Sequence, residues 1–304
     1  MTHRSLGRAR RPALLLVTAL LALGATAGTA SAATSAFTNS TSIAIPDDTT
    51  ASPYPSSITA SGFAGNVQKA TVTLNGFTHT YADDIAVLLV GPNGANSILM
   101  GRVGGSSDTG VINLTFDQAS GNTLNVDDTA VSGTYRPSQG TDVPDPLSPP
   151  APGGPYPVDL NALNSSPANG TWKLFIEDQV AGDDGAVLGG WTLGLTAPVN
   201  TETVGKPKLN KKNGTAKLPV TVGDSGNLAL NGKGVATVAS AGATKSVAVT
   251  GPGTKTLKVK PKGKTRQKLN STGKATVKVK VTFTPTGGTP NVQTKKIKLK
   301  KTLG

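Results

Sequence analysis

Aspartates stand in adjacent pairs in the first two thirds of this sequence, and they are the side chains best suited to chemistry. Most of them follow or precede apolar runs, so they belong at strand ends and in turns. Loop carboxylates are the ligands that Ca²⁺ prefers, and neighbouring glycines free the backbone to add carbonyl ligands. The candidate calcium ligands are Asp83, Asp84, Asp127, Asp128, Asp178, Asp183 and Asp184. No EF-hand spacing is present, so solvated, turn-forming aspartates are the alternative interpretation.

Catalysis by these carboxylates, or by a nucleophile, has little support in the sequence. A glycosidase pair needs a sugar-binding cleft, and only 4% of the residues are aromatic. A serine-protease triad needs a histidine base, but His79 is the single histidine after residue 32, and no G-x-S-x-G motif is present. Cysteine is absent, which excludes thiol chemistry and zinc sites built on cysteine. We therefore predict that the protein is not an enzyme, with a hydrolase of unknown type as the weaker alternative.

The charged residues divide the chain into two parts of opposite sign. Residues 34–197 contain 15 acidic and four basic residues, a net charge of −11, whereas residues 198–304 contain two acidic and 22 basic residues, a net charge of +20. An asymmetry of this size is typical of two units with different partners. The predicted organisation is an acidic domain at residues 33–197, a linker at 198–205 and a basic domain at 206–304.

The first 32 residues have the pattern of a signal peptide. Four arginines precede an apolar run at residues 13–23, and Ala30-Ser31-Ala32 forms an A-x-A cleavage site. The apolar run is too short to cross a bilayer, and no longer one follows. We expect export without a transmembrane segment, and a secreted or cell-wall-associated protein. Arg10 and Arg11 also allow twin-arginine export in place of the general route.

Alternating apolar and polar residues predict β-strands in the acidic domain. Apolar side chains recur with a spacing of two at residues 70–74, 112–116, 172–176 and 191–195, as in strands with one buried face. Residues 85–90 are apolar throughout and fit a strand covered on both faces, and a Gly-Pro-Asn-Gly turn leads to a return strand at 97–100. An antiparallel β-sandwich is expected. The Pro/Gly-rich residues 142–157 form a long loop without a predicted role.

A series of motifs in this domain resembles a known family. In chain order they are AIPDD at residues 44–48, HTYADDI at 79–85, LLVGPNG at 88–94, GTYRP at 133–137, NGTWKL at 169–174, ED at 177–178, GDDG at 182–185 and GWTL at 190–193. The series resembles the P domain, or Homo B domain, that follows the catalytic domain of subtilisin-like proprotein convertases. The resemblance implies a jelly-roll β-sandwich that stabilises a protease and is not itself catalytic. No subtilisin-like catalytic motif occurs in this sequence.

The basic domain alternates lysine with apolar residues. In the stretch KATVKVKVTF, residues 274–283, one face is apolar and the other carries lysine and threonine, and the same pattern recurs at 255–260 and 294–301. Six or seven strands in about 100 residues predict an immunoglobulin-like sandwich. The composition loosely resembles Lys-rich β-modules of secreted actinobacterial proteins.

The outward lysines of this domain are the second candidate site. They are Lys258, Lys260, Lys278, Lys280, Lys296, Lys298 and Lys300. Solubility and protection of strand edges is one interpretation, attachment to anionic envelope or matrix polymers is another, and salt-sensitive docking on the acidic domain is a third. Phe283 is the single aromatic residue after residue 197 and falls on the core face, so specific nucleic-acid recognition by stacking is not expected.

The sequence as a whole predicts an exported, all-β, non-catalytic protein with a binding or structural function. Its jelly-roll sandwich is expected to be stabilised by Ca²⁺, and its immunoglobulin-like sandwich is expected to bind anionic polymers. The alternative is an accessory role in proteolysis, in which the P-domain-like unit associates in trans with a secreted subtilisin-like protease.

Overall fold

The computed structural model describes residues 32–142, 144–236 and 246–303. The predicted signal peptide, residues 1–32, lies outside these ranges except for Ala32. Within them, no helix has the length and apolar character needed to cross a membrane. Strands dominate the structure, and the predicted all-β fold class is confirmed.

Among the described residues up to 197, twelve strands and two 3₁₀ turns build the first sandwich. In chain order the strands are β1 (Ala33–Asn39), β2 (Ile43–Ile45), β3 (Ser56–Ala60), β4 (Lys69–His79), β5 (Ile85–Val90), β6 (Asn96–Gly101), β7 (Ile112–Asp117), β8 (Gly133–Tyr135), β9 (Ser138–Gln139), β10 (Gly170–Asp178), β11 (Gly185–Val187) and β12 (Trp191–Ala197). The 3₁₀ turns are Ala82–Asp84 and Leu160–Ser165. One sheet contains β1, β12, β4, β11 and β2, with β7 paired to β4 and β8 paired to β7, and the other contains β3, β10, β5, β6 and β9.

The predicted antiparallel pairing has two exceptions. β6 pairs with β9, and β7 pairs with β8, in parallel. Both exceptions come from residues 133–139, which reach the sheets after a long loop and not through a hairpin. No turn signal in the sequence marks such a pairing.

One apolar core fills the space between the two sheets. β4, β7, β10 and β12 bury alternate side chains, as their sequence pattern predicts. Trp172 and Trp191 are both buried, and a buried indole N–H needs an acceptor. That of Trp191 donates to Ser56 Oγ at 3.0 Å, and that of Trp172 donates to the backbone oxygen of Ala168 at 3.3 Å. The two tryptophans are therefore core residues, as predicted.

The Pro/Gly-rich loop covers the outer face of the second sheet. β5 is buried along its whole length, because Leu147 of the loop joins Leu88 and Phe175 in a second apolar cluster. The carboxylate of Glu177 on β10 holds the loop in place. It accepts hydrogen bonds from the Ser148 backbone N–H at 2.7 Å and from the Ser148 hydroxyl at 3.0 Å. The loop therefore completes the core that an all-apolar strand requires.

In the described part of residues 198–304, eight strands and one helix build the second sandwich. In chain order they are β13 (Glu202–Val204), β14 (Lys208–Asn210), β15 (Thr215–Val222), β16 (Gly226–Gly232), β17 (Val247–Val249), β18 (Gly253–Val259), α1 (Gly263–Thr272), β19 (Lys274–Pro285) and β20 (Asn291–Lys300). β13 and β14 pair with one edge of β15, and β18 pairs with the other. The opposing sheet has the order β17, β16, β19, β20. This is the strand arrangement of an immunoglobulin-like sandwich.

Two elements of this sandwich have no signal in the sequence pattern. β13 lies within residues 198–205, the predicted linker, and its three residues are too few to show a period of two. The helix α1 has one buried residue, Leu269, so it lacks the apolar stripe by which a helix is recognised. Gly273 ends the helix with a φ of 68°, a left-handed conformation that suits glycine.

The two sandwiches meet through backbone atoms. An isolated bridge joins Gly65 to Gly288. The Ala64 N–H donates to the oxygen of Pro198 at 2.7 Å, and the Thr289 N–H donates to the oxygen of Ala64 at 2.8 Å. A Cβ at Gly65 would come within 2.7 Å of a backbone oxygen in the facing turn, so the close approach requires glycine. None of the ion pairs in the described ranges joins the two sandwiches.

Candidate functional site

Asp84 and Asp178 lie together at one end of the first sandwich. Asp84 ends the 3₁₀ turn before β5, and Asp178 ends the neighbouring strand β10. Asp84 is only 5% exposed. Burial, and then the charges of Asp178 and Asp183, raise the pKa of Asp84 to about 6, and the positive charge of Arg102 opposes this shift only in part. A carboxylate with a raised pKa is a buried charge that lacks full compensation.

His79 is buried beside Asp178. Its Nε2 lies 3.2 Å from Asp178 Oδ2, and neither side chain has exposed surface. The alignment of this contact falls short of a hydrogen bond, so the attraction is mainly electrostatic. The other ring nitrogen, Nδ1, lies 2.9 Å from the backbone oxygen of Tyr81 and 3.2 Å from its nitrogen. Burial raises the pKa of Asp178, while the Val180 N–H and His79 oppose that shift.

An Asp–His pair supplies two of the three members of a hydrolytic triad. Here the pair is enclosed, and both imidazole nitrogens contact groups of the protein itself. No face of the ring is open to a nucleophile or a substrate. The geometry suits a structural role for His79.

Asp83, whose charge also acts on Asp84, joins a second acidic group with Asp127. In the part of the chain that the structure describes, Asp83 Oδ1 is buried and has no hydrogen-bond partner. Burial raises the pKa of Asp83, the charge of Arg102 lowers it, and the charges of Asp142 and Asp127 raise it further. The nearby Asp128 carboxylate accepts a hydrogen bond from the side-chain amide of an asparagine at 2.9 Å, as a turn-forming aspartate does.

The structure thus divides the seven predicted calcium ligands. The charges of Asp178, Asp183 and Asp83 act on Asp84, and that of Asp127 acts on Asp83. Asp128 accepts a hydrogen bond within a turn, and the backbone N–H of Asp184 donates to the Thr80 hydroxyl. Over the described ranges, no three His, Asp or Glu side chains converge closely enough to hold a metal ion. Asp47 also belongs to the first group, because its Oδ1 accepts a hydrogen bond from Gly182 at 2.7 Å. Its signal in the sequence was the AIPDD motif.

All seven lysines predicted to bind polyanions are exposed. The outer face of β19 and β20 carries five of them, namely Lys278, Lys280, Lys296, Lys298 and Lys300. Lys278 is directly opposite Lys296, and Lys274, which was not predicted, is opposite Lys300. Like charges in directly opposed positions destabilise a sheet. This face therefore concentrates positive charge, and the repulsion between its lysines lowers the stability of the sheet.

A second row of lysines crosses the other sheet. Lys258 on β18 is opposite Lys217 on β15, and Lys217 is opposite Lys208 on β14. All three are exposed. Adjacent strands are about 4.8 Å apart, so the row is closely spaced. Sequence reasoning identified only Lys258, because the row depends on the register between strands that are far apart in the chain.

The two acidic residues of the basic part of the chain are both buried. Asp224 is 2% exposed and accepts hydrogen bonds from the backbone N–H groups of Val199 and Ser225. Glu202 is 7% exposed, and neither of its carboxylate oxygens has a hydrogen-bond partner within the described residues. Burial raises the pKa of Glu202 to about 7, and the backbone of Phe283 opposes that shift only in part. In the described part of residues 198–304, the exposed charges are therefore all positive.

Comparisons with known proteins give partial similarities. No family model matches the chain. Over 153 residues, half of this chain, it is 31% identical to the transglutaminase-activating metalloprotease of Streptomyces mobaraensis, and the match covers 14% of that protein. The chain therefore spans about one seventh of the length of this curated relative.

Two solved structures of a serine protease of Aeromonas sobria, one of them with the chaperone ORF2, also show some similarity. They match 54% and 55% of this chain and 26% of each of their own chains, at 14% sequence identity and TM-scores of 0.28 and 0.27. At these scores the likeness supports no conclusion about this chain.

Proposed function

We propose that this chain is an exported, non-catalytic binding protein whose basic sandwich attaches it to anionic polymers of a cell envelope or matrix. The observation that carries the proposal is the sign of the exposed charge. Glu202 and Asp224 are buried, while the lysines of residues 206–304 line both outer faces of the sandwich. A surface of one sign attracts polymers of the other.

Protection of strand edges is not sufficient to explain these lysines. Edge strands often carry lysine to prevent association with other sheets, and β20 is such a strand. However, β19 lies between β16 and β20, and β15 lies between β14 and β18. Lys278 and Lys280 on β19 and Lys217 on β15 therefore project from the interior of a sheet, where no edge needs protection.

The first variant changes Lys278, Lys280, Lys296 and Lys298 to glutamine. It is expected to bind a purified phosphate-containing wall polymer about tenfold more weakly, or worse, at 0.15 M salt. Each phosphate contact that is lost removes a favourable contribution of counterion release to the binding free energy. Changing the same four lysines to arginine keeps the charge and should leave the affinity within about twofold. Affinities are measured by co-sedimentation over a range of salt concentrations. Unchanged binding by the glutamine variant would contradict the proposal.

A second candidate function is an accessory role in proteolysis. Two observations favour it: the motif series that resembles a P domain, and the similarity to part of a metalloprotease. In this role the acidic sandwich is a P-domain-like module that binds a secreted protease in trans. A pull-down from culture medium at physiological salt, with this chain as the bait, separates the two candidate functions. A co-purifying peptidase supports the accessory role, and capture on polymer without a peptidase supports attachment alone.

Calcium fits the acidic sandwich only in part. Near Asp84, the oxygens Asp83 Oδ1 and Gln179 Oε1 are buried without a hydrogen-bond partner among the residues that are described, and the Gln179 N–H donates to the backbone oxygen of Asp84 at 3.1 Å. Buried oxygens without donors suit a hard cation. Asp84 and Asp178 would hold such an ion, and backbone carbonyls and water would supply the other ligands. Bound Ca²⁺ would stabilise the carboxylates in their charged form.

Excess Ca²⁺ is expected to raise the thermal unfolding midpoint of the chain by several degrees relative to EDTA, since a ligand at 100 times its Kd adds about 2.7 kcal/mol to the folded state. Asp84→Asn should abolish this rise and should raise the midpoint in EDTA, because it removes a buried charge. The exposed Asp145→Asn is the matched control and should respond to Ca²⁺ like the unchanged chain. An equal response in both variants, or no response at all, would contradict a calcium role for Asp84.

A further inference from the structure

The helix α1 carries more positive charge than its stability requires. The helix directly precedes β19, and the contact with the first sandwich follows the end of β19, so the two lie at opposite ends of this strand. It contains Lys264, Arg266 and Lys268 and has no acidic residue in its first turn. Lys262 at the N-cap and Lys264 add positive charge at the end where the helix dipole is already positive. Leu269 is the single buried residue of the helix. Neither the helix dipole nor packing in the core therefore explains why the helix carries three cationic side chains.

A cavity of about 440 Å³ opens beside α1. Its lining includes five cationic side chains, namely Lys212, Lys258, Lys260, Arg266 and Lys301. They come from the turn after β14, from β18 and the residue after it, from α1, and from the residue after β20. No acidic side chain lines the cavity, and none of the five takes part in an ion pair with another described residue.

Solubility does not explain this convergence. Lys212, Arg266 and Lys301 lie in a turn, in the helix and after the last strand, so they protect no strand edge. Charges that serve solubility are best interspersed with the opposite sign, because like charges held together repel. Lys301 Nζ donates to Asn270 Oδ1 at 2.8 Å, so this ammonium group is held in position beside the cavity. The arrangement suits a ligand that supplies the missing negative charge.

We propose that this cavity binds phosphate groups, carried either by a small oligophosphate or by a phosphate-bearing polymer. The volume lies in the range of small-molecule sites. The guanidinium of Arg266 has the planar fork that binds phosphate oxygens in pairs, and the lysines act as point charges. No aromatic residue lines the cavity, so a nucleobase would find no stacking surface. The inference rests on the proposed attachment to anionic polymers and names the group that is recognised.

The lysine row on the neighbouring sheet extends this site. Lys258 lines the cavity and also begins the row that continues with Lys217 and Lys208. With strands about 4.8 Å apart, the row reaches roughly 10 Å from Lys258. A polymer that leaves the cavity would meet further positive charge along this row, whereas a short oligophosphate would not reach its end.

The test measures tripolyphosphate and long-chain polyphosphate binding to the purified chain by calorimetry at 0.15 M salt. The cavity variant is Lys260→Gln with Arg266→Gln. The matched control is Lys206→Gln with Lys255→Gln, two lysines that neither line the cavity nor belong to the opposed lysine rows. Each variant loses two exposed positive charges, and thermal unfolding midpoints should show that both are folded. We expect tripolyphosphate to bind the cavity variant about tenfold more weakly or worse, and the control within about twofold of the unchanged chain.

Equal weakening in both variants, or no tripolyphosphate binding by the unchanged chain, would overturn the cavity proposal. Tighter binding per phosphate by the long chain would identify a polymer as the source of the phosphate groups, and equal binding would identify a small ligand. The two proposals can fail separately. If only the four-lysine glutamine variant loses wall polymer and the cavity variant loses nothing, attachment stands and the cavity does not. If only the cavity variant loses binding to the wall polymer, the cavity is the attachment site and the lysine face of β19 and β20 is not.

Discussion

Replacing His79 with alanine is expected to lower the free energy of unfolding by about 3–5 kcal/mol, because the buried Asp178 carboxylate loses the group that faces it and becomes an uncompensated charge. The partner is Asp178, whose carboxylate lies 3.2 Å from the imidazole with no exposed surface on either side chain. The pKa of Asp178, already raised by burial, should rise further without the imidazole. The thermal midpoint should fall by roughly 6–20 °C, at 2–4 °C for each kcal/mol.

A double-variant cycle with Asp178→Asn distinguishes the electrostatic contact between Asp178 and His79 from loss of packing. Asparagine retains the oxygen that accepts the hydrogen bond from the Val180 N–H, at 3.1 Å in the native side chain. If electrostatics dominates, His79→Ala should be much less destabilising in the Asp178→Asn background than in the unchanged chain. Equal destabilisation in both backgrounds would mean that His79 acts through packing alone.

Glu202→Gln is expected to stabilise the protein at and above neutral pH by up to about 3 kcal/mol. Burial raises the pKa of Glu202 from 4.5 to about 7, and each pKa unit corresponds to about 1.4 kcal/mol. Because the folded state binds this proton more tightly than the unfolded chain, stability is greatest below about pH 4.5 and decreases as the pH rises to about 7. The difference in unfolding free energy between the variant and the unchanged chain should grow over that window and then level off.

Glu177→Gln is the matched control, with an effect of the opposite sign. Unlike Glu202, Glu177 accepts hydrogen bonds from the Tyr54 hydroxyl at 3.1 Å and from both the backbone and the hydroxyl of Ser148. Removing its charge should destabilise the protein by about 1 kcal/mol or more. Urea unfolding at a series of pH values measures both variants. A pH-independent effect of Glu202→Gln would show that the carboxylate is not a buried charge in solution.

Much of the fold could be predicted because burial in a sheet follows a period of two. β4, β10, β12 and β19 are long enough for that alternation to be visible, and the structure confirms their buried faces. Short elements such as β8, β9 and β13 carry no such pattern, because two or three residues are stabilised by the strands they join and not by their own composition. The helix α1 has a single buried residue, Leu269, and is held by its position between β18 and β19.

The candidate calcium residues show the limit of sequence proximity. Asp83 and Asp84 are adjacent in the chain, yet the main charges that raise their pKa values differ. Asp83 responds to Asp142 and Asp127, whereas Asp84 responds to Asp178 and Asp183 and more weakly to Asp83. Adjacent aspartates in the sequence can therefore have different main neighbours in space.

The sequence by itself determined the sign of each half of the molecule, the all-β class and the positions of most long strands. These follow from composition and from local periodicity, which are properties of the chain before it folds. Only the tertiary structure decided that both acids of the basic half are buried, and that Lys212, Lys260, Arg266 and Lys301 surround one cavity. Those four residues come from separate segments, and strand register and the placement of α1, which arise from long-range packing, bring them together.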